Sequence, residues 1–146
     1  KKIKKNSIDE KIKNFLLKKK LLFGICLGMQ LLFEESDEFG FSKGMGLISG
    51  KVKKFPLKKV KVPHIGWEKI EIKNNFNLLR NDSYYYFVHS HFCQPRQKNI
   101  IHSVTNYQGF KYCSSIQSNN IFATQFHPEK SGKSGLKILN KMKIFL

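Results

Sequence analysis

A cysteine framed by two glycines is the residue of this chain best suited to act as a nucleophile. Cys26 lies in the stretch GICLG, between Gly24 and Gly28, where an apolar strand-like run ends and helix-forming residues begin. This spacing is typical of a nucleophile elbow, a sharp strand-to-helix turn that exposes a reactive side chain. Small flanking residues let the neighbouring backbone approach closely, and the N–H groups that open the helix favour a thiolate. The pattern therefore predicts a reactive thiol.

A base for that thiol, and a group to orient the base, occur near the other end of the chain in the stretch QFHPEKS. His127 and Glu129 are two residues apart, so in an extended segment both side chains project from the same face. The imidazole would accept the thiol proton while the carboxylate holds its other nitrogen. A lone cysteine after an apolar strand is more often a core residue, and H-x-E also occurs by chance. Together, however, the two stretches favour a Cys26-His127-Glu129 triad, with His127 as general base and acid.

The elements around Cys26 are predicted to be helix, buried strand, turn and helix. Residues 6–20 show a helical apolar face behind a capping box formed by Ser7 and Glu10. Residues 21–25 form a short, fully apolar run of the kind buried in a parallel sheet, and residues 27–36 resume helix-forming composition. This order is typical of an α/β layered domain.

The second half of the chain is predicted to be mostly antiparallel strands. A glycine-rich loop at 37–50 precedes short strand-like runs, and an amphipathic helix at 134–145 closes the chain. The predicted strands are residues 51–55, 66–72, 84–90, 100–107, 110–116 and 121–126. We therefore expect one α/β domain over residues 1–146, with a mixed sheet flanked by helices.

Composition argues against several other classes of protein. The 146 residues carry a formal net charge of +17, yet only Arg80 and Arg96 among the 27 basic residues are arginines, the type preferred for nucleic-acid contacts. A nucleic-acid-binding basic domain is thus a minor alternative, whose binding would weaken steeply with salt. No apolar run reaches the length of a membrane span, and no signal-peptide pattern is present. The predictions are no nucleic-acid partner and no membrane association.

The other two cysteines lack the glycine frame and are interpreted as structural. Cys93 lies near His89 and His91, but the ligands of a metal site cannot be assembled there, and Cys113 stands apart. The three cysteines show no paired short spacing, which argues against a disulfide framework and a zinc site. We predict no metal and no cofactor, and a reducing, cytoplasmic location.

At this point the residues carry a family resemblance. GICLGMQ together with QFHPEKS resembles the class I, triad-type glutamine amidotransferases. PHIGW (63–67) and YYYFVHS (84–90) resemble the branch formed by the glutaminase subunits of imidazole glycerol phosphate synthases. The resemblance runs over nearly the whole chain and implies a flavodoxin-like mixed sheet flanked by helices, the fold of class I glutamine amidotransferases.

The resemblance also implies roles for residues around the predicted thiol. The reaction would be hydrolysis of the glutamine side-chain amide, with an oxyanion held at the backbone of Leu27 and Gly28. Gln30 and Glu38 would bind glutamine, Glu38 through the α-ammonium group, and a solvated acidic stretch is the alternative for Glu38. The resemblance further implies that His89 and Ser90 line the pocket wall.

A synthase partner follows from the same resemblance. Ammonia would pass to a synthase with a (β/α)8 barrel, in a heterodimer that makes imidazole glycerol phosphate in histidine biosynthesis. The residues implied to face that partner are Pro63, His64, Gly66, Trp67 and Lys130. Simple packing is the alternative for the aromatic residues Trp67, Tyr84 and Tyr86.

Two features leave the function open at this stage. In the family, the oxyanion loop and the first strands lie upstream of the first helix. Because this chain begins KKIKK, we expect these parts to be missing from it. We also expect the chain alone to have low activity. The ammonia acceptor is also open, because relatives in surface-sugar pathways share the same triad. A truncated, non-catalytic subunit that only binds a partner is a further alternative.

Overall fold

Strand pairing between the two ends of the chain organises this molecule. The computed structural model describes residues 8–74, 79 and 83–142. Its helices are α1 (Ile8–Leu17), α2 (Leu27–Leu31) and α3 (Gly132–Met142), with 3₁₀ turns at Lys98–Ile100 and Pro128–Lys130. Its strands are β1 (Leu22–Ile25), β2 (Phe33–Ser36), β3 (Ser42–Lys43), β4 (Ile48–Lys54), β5 (His64–Lys69), β6 (Glu71–Ile72), β7 (Tyr84–His89), β8 (His91–Pro95), β9 (Ile101–Tyr107), β10 (Phe110–Ser118) and β11 (Ile121–Thr124).

The described strands form a curled mixed sheet and a separate ribbon. The sheet runs in the order β1-β11-β10-β8-β4-β2-β3, with β9 paired to β10 and β6 paired to β9. The pairs β1–β11 and β2–β4 are parallel and the others antiparallel, while β5 and β7 form the two-stranded antiparallel ribbon. The fold class predicted from the sequence is therefore confirmed, including the antiparallel second half.

The parallel pairing of β1 with β11 positions the predicted thiol. Ile25 lies opposite Thr124, so the chain leaves both strands at the same edge, with Cys26 next to Gln125. Both strands consist largely of apolar residues, as expected for parallel strands buried on both faces. A pairing across almost the whole sequence thus brings the cysteine stretch and the histidine stretch together.

Two hydrophobic clusters hold the sheet. One contains Phe55, Phe87, Phe122 and Phe126 and receives α3 through Ile138. The other gathers residues from α2, the central strands and β11, namely Met29, Leu32, Phe33, Ile48, Val52, Cys93, Ile100, Cys113, Ile116, Ile121 and Ala123. Within the described residues, none of the helices is long and apolar enough to span a membrane.

The prediction of one helix over residues 27–36 is wrong beyond Leu31. Phe33 to Ser36 form β2, because Phe33 is fully buried opposite Ile48 and the Glu34 carboxylate accepts a hydrogen bond from the backbone N–H of Gly50, 2.8 Å away. Helix-forming composition was overridden there by tertiary packing. Strand β8 was not predicted, and the predicted loop at 37–50 contains β3 and the start of β4. The predicted cap at Ser7 lies outside the described residues.

Candidate active site

The turn from β1 into α2 has the geometry of an elbow. Cys26 has φ +50° and ψ −106°, a conformation that side-chain-bearing residues rarely adopt and that costs about 1–3 kcal/mol. Its N–H donates to the Thr124 carbonyl at 2.7 Å, and its carbonyl accepts from the N–H groups of Met29 and Gln30. Backbone hydrogen bonds on both sides therefore hold the strained residue between strand and helix.

The two glycines around Cys26 have different roles. A Cβ added at Gly24 would lie 3.0 Å from the carbonyl carbon and oxygen of Gly28, whereas one added at Gly28 would meet nothing within 4 Å. The sequence predicted that both glycines permit close backbone approach. Only Gly24 meets that description, because α2 folds back onto β1 at this position.

The Cys26 thiol is half-buried and borders amide, carbonyl and carboxylate groups. Gln125 Nε2 donates to Cys26 Sγ at 3.6 Å, and the Val88 carbonyl oxygen lies 4.0 Å from Sγ. Burial raises the pKa of the Cys26 thiol, and the carboxylates of Glu129 and Glu38 add to the rise. The Leu27 backbone N–H and the Gln125 amide act on that pKa in the opposite direction. The thiol therefore needs a base to become an efficient nucleophile.

The structure brings His127 and Glu129 together. His127 Nδ1 and Glu129 Oε1 are 2.6 Å apart, and His127 Nε2 is buried without a hydrogen-bond partner among the described residues. The contact arises because the chain turns into the 3₁₀ helix Pro128–Lys130, and not from the extended segment that the sequence predicted. A proton on Nδ1 leaves Nε2 free to accept one. Cys26 and His127 are not hydrogen-bonded to each other in the described part of the chain.

A cavity of about 990 Å³ opens beside the thiol. Its lining contains these predicted site residues: Cys26, Leu27, Gln30, Glu38, His89 and Ser90. Phe39 and Phe41 add exposed aromatic rings to the lining. The lining does not include Gly28, His127 or Glu129.

The Glu38 carboxylate lies beside the His91 imidazole at the cavity wall. Glu38 Oε1 lies 3.5 Å from His91 Nδ1, and Asp37 Oδ1 lies 3.6 Å from His91 Nε2. The Glu38 backbone N–H also donates to Ser36 Oγ at 3.1 Å. These contacts place one carboxylate at the wall of the cavity.

Sequence reasoning missed Gln125. Its side chain is fully buried between Cys26 and Gln30, whose Nε2 donates to Gln125 Oε1 at 3.2 Å. Gln30 Nε2 also donates to the His91 carbonyl at 3.1 Å, so its amide is partly engaged inside the protein. The sequence held no local signal for this contact, because it arises from the parallel pairing of β1 with β11, which joins residues 99 positions apart.

A second buried network runs through predicted residues. His89 Nδ1 lies 2.7 Å from the His91 carbonyl and His89 Nε2 lies 3.2 Å from the Tyr112 hydroxyl, which is 3.1 Å from His64 Nδ1. Burial lowers the pKa of His89 to about 3 and that of His64 to about 4. Both imidazoles are therefore neutral at physiological pH.

The residues implied to face a partner divide into exposed and buried. Pro63, Trp67 and Lys130 are exposed, and Gly66 is half-buried. His64 is only 1% exposed and stacks on Tyr107 with ring centroids 3.8 Å apart. The expectation that the His64 side chain faces a partner is therefore wrong, because its imidazole is packed in the aromatic core.

The described cysteines and acidic residues offer no metal centre. Among residues 8–74, 79 and 83–142, no group of three or more His, Cys, Asp or Glu side chains is placed to hold a metal ion. Cys93 and Cys113 are buried, unpaired thiols opposite each other on β8 and β10. Burial raises the pKa of Cys113 to about 12 and also raises that of Cys93 well above the ordinary thiol value.

Comparison with proteins of known sequence gives consistent matches. The model of the glutamine amidotransferase class-I family matches residues 4–144. The imidazole glycerol phosphate synthase subunit HisH of Chlorobaculum tepidum is 41% identical over 146 residues, covering 98% of this chain and 73% of that protein. The HisH subunits of Chlorobium luteolum and Pyrococcus furiosus are 48% and 49% identical, and cover 81% and 85% of this chain. The chain spans only 60% and 64% of those two relatives.

Comparison with solved structures supports the same fold. The crystal structure of a glutamine amidotransferase superposes with a TM-score of 0.70 at 14% identity, covering 98% of this chain and 70% of that one. A glutamine amidotransferase from Thermotoga maritima gives a TM-score of 0.56 at 17% identity, covering 93% of this chain and 52% of that one. Fold, elbow and family match agree, and the chain belongs to the class-I glutamine amidotransferase family.

Proposed function

We propose that this chain is the glutaminase subunit of an imidazole glycerol phosphate synthase, with a role in histidine biosynthesis. The observation that carries the proposal is the elbow cysteine beside a cavity, with the His127–Glu129 pair at the end of the strand that β1 pairs with. The HisH subunits reported above, 41% to 49% identical, support the choice of synthase. Residues 1–146 then act as one glutaminase domain.

Cys26, His127 and Glu129 are the catalytic triad in this proposal. His127 Nε2, which has no partner among the described residues, takes the proton from Cys26 Sγ as the sulfur attacks the glutamine side-chain carbonyl carbon. Glu129 holds the Nδ1 proton and stabilises the imidazolium. The hydrogen bond between base and nucleophile often forms only once substrate is bound.

The remaining steps use the same groups. The backbone N–H of Leu27, already close enough to affect the thiol, donates to the oxyanion, and Gly28 continues that backbone. His127 gives its proton to the leaving nitrogen, so ammonia departs and a thioester remains on Cys26. Water, deprotonated by His127, then releases glutamate.

The cavity wall binds the rest of the substrate. Glu38 pairs with the α-ammonium group of glutamine, which places a cation beside the carboxylate that lies 3.5 Å from His91 Nδ1. Gln30, His89 and Ser90 complete the wall.

The ribbon of β5 and β7 is the proposed contact with a (β/α)8-barrel synthase in a heterodimer. Trp67 and Tyr86 are cross-strand neighbours with ring centroids 5.8 Å apart, and Trp67 is half-exposed. The Tyr86 carbonyl accepts the His127 N–H at 2.9 Å, so the ribbon adjoins the proposed triad. Pro63, Gly66 and Lys130 extend that face. The free thiols suit a reducing cytoplasm.

Labelling with a diazo-ketone analogue of glutamine tests the proposal. The reagent should modify Cys26 alone, as located by mass mapping, and excess glutamine should protect it. A Cys26→Ser chain is the matched control and should stay unlabelled, since its weaker nucleophile does not attack the reagent. Absence of labelling in a chain that circular dichroism shows to be folded would overturn the glutaminase function and leave a role in partner binding.

A further inference from the structure

The buried amide of Gln125 is unused by the proposed reaction, yet it contacts the sulfur that performs it. Gln125 Nε2 lies 3.6 Å from Cys26 Sγ, and the Gln125 side chain is fully buried. Its backbone N–H donates to the Ser114 carbonyl at 2.9 Å, which anchors the residue to the sheet just beyond β11. The amide is therefore held against the thiol by secondary structure and burial.

Hydrogen bonding determines which end of the Gln125 amide faces the sulfur. The His91 carbonyl can only accept, so the Gln30 group that lies 3.1 Å from it must be the NH₂. That same NH₂ lies 3.2 Å from Gln125, so Gln125 must present its oxygen to Gln30. The NH₂ of Gln125 is then the group that faces Cys26.

A third contact agrees with this orientation. The buried Cys93 thiol lies 4.0 Å from Gln125 Oε1 and can donate to that oxygen. A reversed Gln125 amide would place its NH₂ against the NH₂ of Gln30 and its oxygen against Cys26. Such an arrangement would leave buried donors unpaired, which is unfavourable.

We propose that Gln125 is a positioning residue for the nucleophile, whose side-chain amide donates to Cys26 Sγ and stabilises the thiolate in its attacking orientation. Gln30 acts through Gln125. The His91 carbonyl orients the Gln30 amide, and the Gln30 NH₂ in turn determines which end of the Gln125 amide faces Cys26. The catalytic consequence rests on the proposed glutaminase function. The acidity of the thiol does not, because it can be measured without glutamine.

Other groups around the sulfur set the background for this test. The carboxylates of Glu129 and Glu38 face Cys26 from the turn after β11 and from the loop after β2, and both raise its pKa. The Leu27 N–H from α2 lowers it. The His89 imidazole lines the same cavity as Cys26, and the His127 imidazole is the proposed base. None of these groups changes when Gln125 is replaced by an uncharged residue of similar length.

The experiment is the pH dependence of alkylation of Cys26 by iodoacetamide, followed by mass mapping in the full chain. Gln125→Met keeps the volume and removes the donor, so the alkylation midpoint should rise by about one to two pH units. Gln30→Met should raise it by a smaller amount, because the Gln125 amide loses its fixed direction. Gln94→Met, on the exposed side of β8, is the matched control and should leave the midpoint unchanged.

The outcomes separate this proposal from the function. An unchanged midpoint in folded Gln125→Met chain would overturn it, even if glutaminase activity fell through a general structural effect. If Gln125→Met fails to fold, the Gln30→Met variant tests the proposal instead. An unchanged alkylation midpoint in Gln30→Met would then overturn the proposal that Gln30 and Gln125 together orient a donor toward Cys26. A raised midpoint in a chain that diazo-ketone does not label would support Gln125 and contradict the glutaminase function instead.

Discussion

Two buried hydrogen-bond chains start from the carbonyl oxygen of His91 and differ in the groups they contain. The first, which we call the thiol chain, runs through the amides of Gln30 and Gln125 to Cys26 Sγ. The second, the imidazole chain, runs through His89 and the Tyr112 hydroxyl to His64. The thiol chain ends at a cavity, whereas the imidazole chain ends among the rings of Tyr107 and Phe87.

The difference shows how one acceptor can orient two regions with different sensitivity to pH. Amide groups do not titrate, so the thiol chain keeps its direction at any pH that preserves the fold. Imidazoles titrate, and the imidazole chain keeps its direction only while burial holds His64 and His89 neutral. We therefore expect the thiol chain to affect the reactivity of Cys26 and the imidazole chain to affect stability in acid.

The largest expected effect is acid destabilisation through the imidazole chain. The folded pKa values, about 4 for His64 and about 3 for His89, lie below the ordinary 6.5, so the unfolded state binds more protons as pH falls from 6.5. The free energy of unfolding should therefore decline from pH 6.5 toward pH 4. Each unit by which a folded pKa lies below 6.5 contributes ~1.4 kcal/mol to the complete decline. Urea denaturation at stepped pH measures this decline.

His64→Phe is the control for that decline, because it keeps an aromatic ring against Tyr107 and cannot titrate. Between pH 6.5 and 4, the free energy of unfolding of this variant should depend less steeply on pH. The difference in slope should correspond to about one proton fewer taken up on unfolding. Equal slopes in the two chains would show that the His64 imidazole does not contribute to acid unfolding.

A smaller effect is expected from Tyr112→Phe, which removes the hydroxyl between the two imidazoles. His89 Nε2 and His64 Nδ1 then lose their partner, at about 1–3 kcal/mol for each buried group. Thermal or urea unfolding should register that loss, while the alkylation midpoint of Cys26 stays at its original pH. Tyr84→Phe, at a half-exposed tyrosine, should change neither quantity. A shifted midpoint in Tyr112→Phe would mean that the two chains are coupled.

The smallest effect is expected at the glycines that frame the end of the thiol chain. Gly24→Ala forces a methyl group against the backbone of Gly28 at 3.0 Å, and such overpacking costs about 1–3 kcal/mol. Gly28→Ala meets open space and should change the free energy of unfolding by less than about 0.5 kcal/mol. Denaturant titration of the pair checks this. Equal losses would show that the elbow needs both glycines, as the symmetric sequence pattern suggests.

The sequence predicted the elements that are short, apolar and bounded by turns. The strand before Cys26 and most of the later strands lie where the patterns placed them, because their side chains alternate or are uniformly buried. The pattern failed at Phe33, where helix-forming residues become a strand once Ile48 packs opposite. It failed again at β8, which includes the polar residues His91 and Gln94 and ends in Pro95.

Residue types and spacing alone determined that Cys26, His127 and Glu129 could do acid–base and nucleophilic chemistry, since those capacities belong to the side chains. The separation of two residues permits His127 and Glu129 to meet, and the 3₁₀ turn at Pro128–Lys130 brings them together. Only the tertiary structure decided that Gln125 lies against the thiol, that Gln30 orients it and that His64 is buried. The contacts of the two glutamines depend on partners 61, 95 and 99 residues apart in the chain, and His64 meets Tyr112, 48 residues away. Local patterns do not encode such distant pairings.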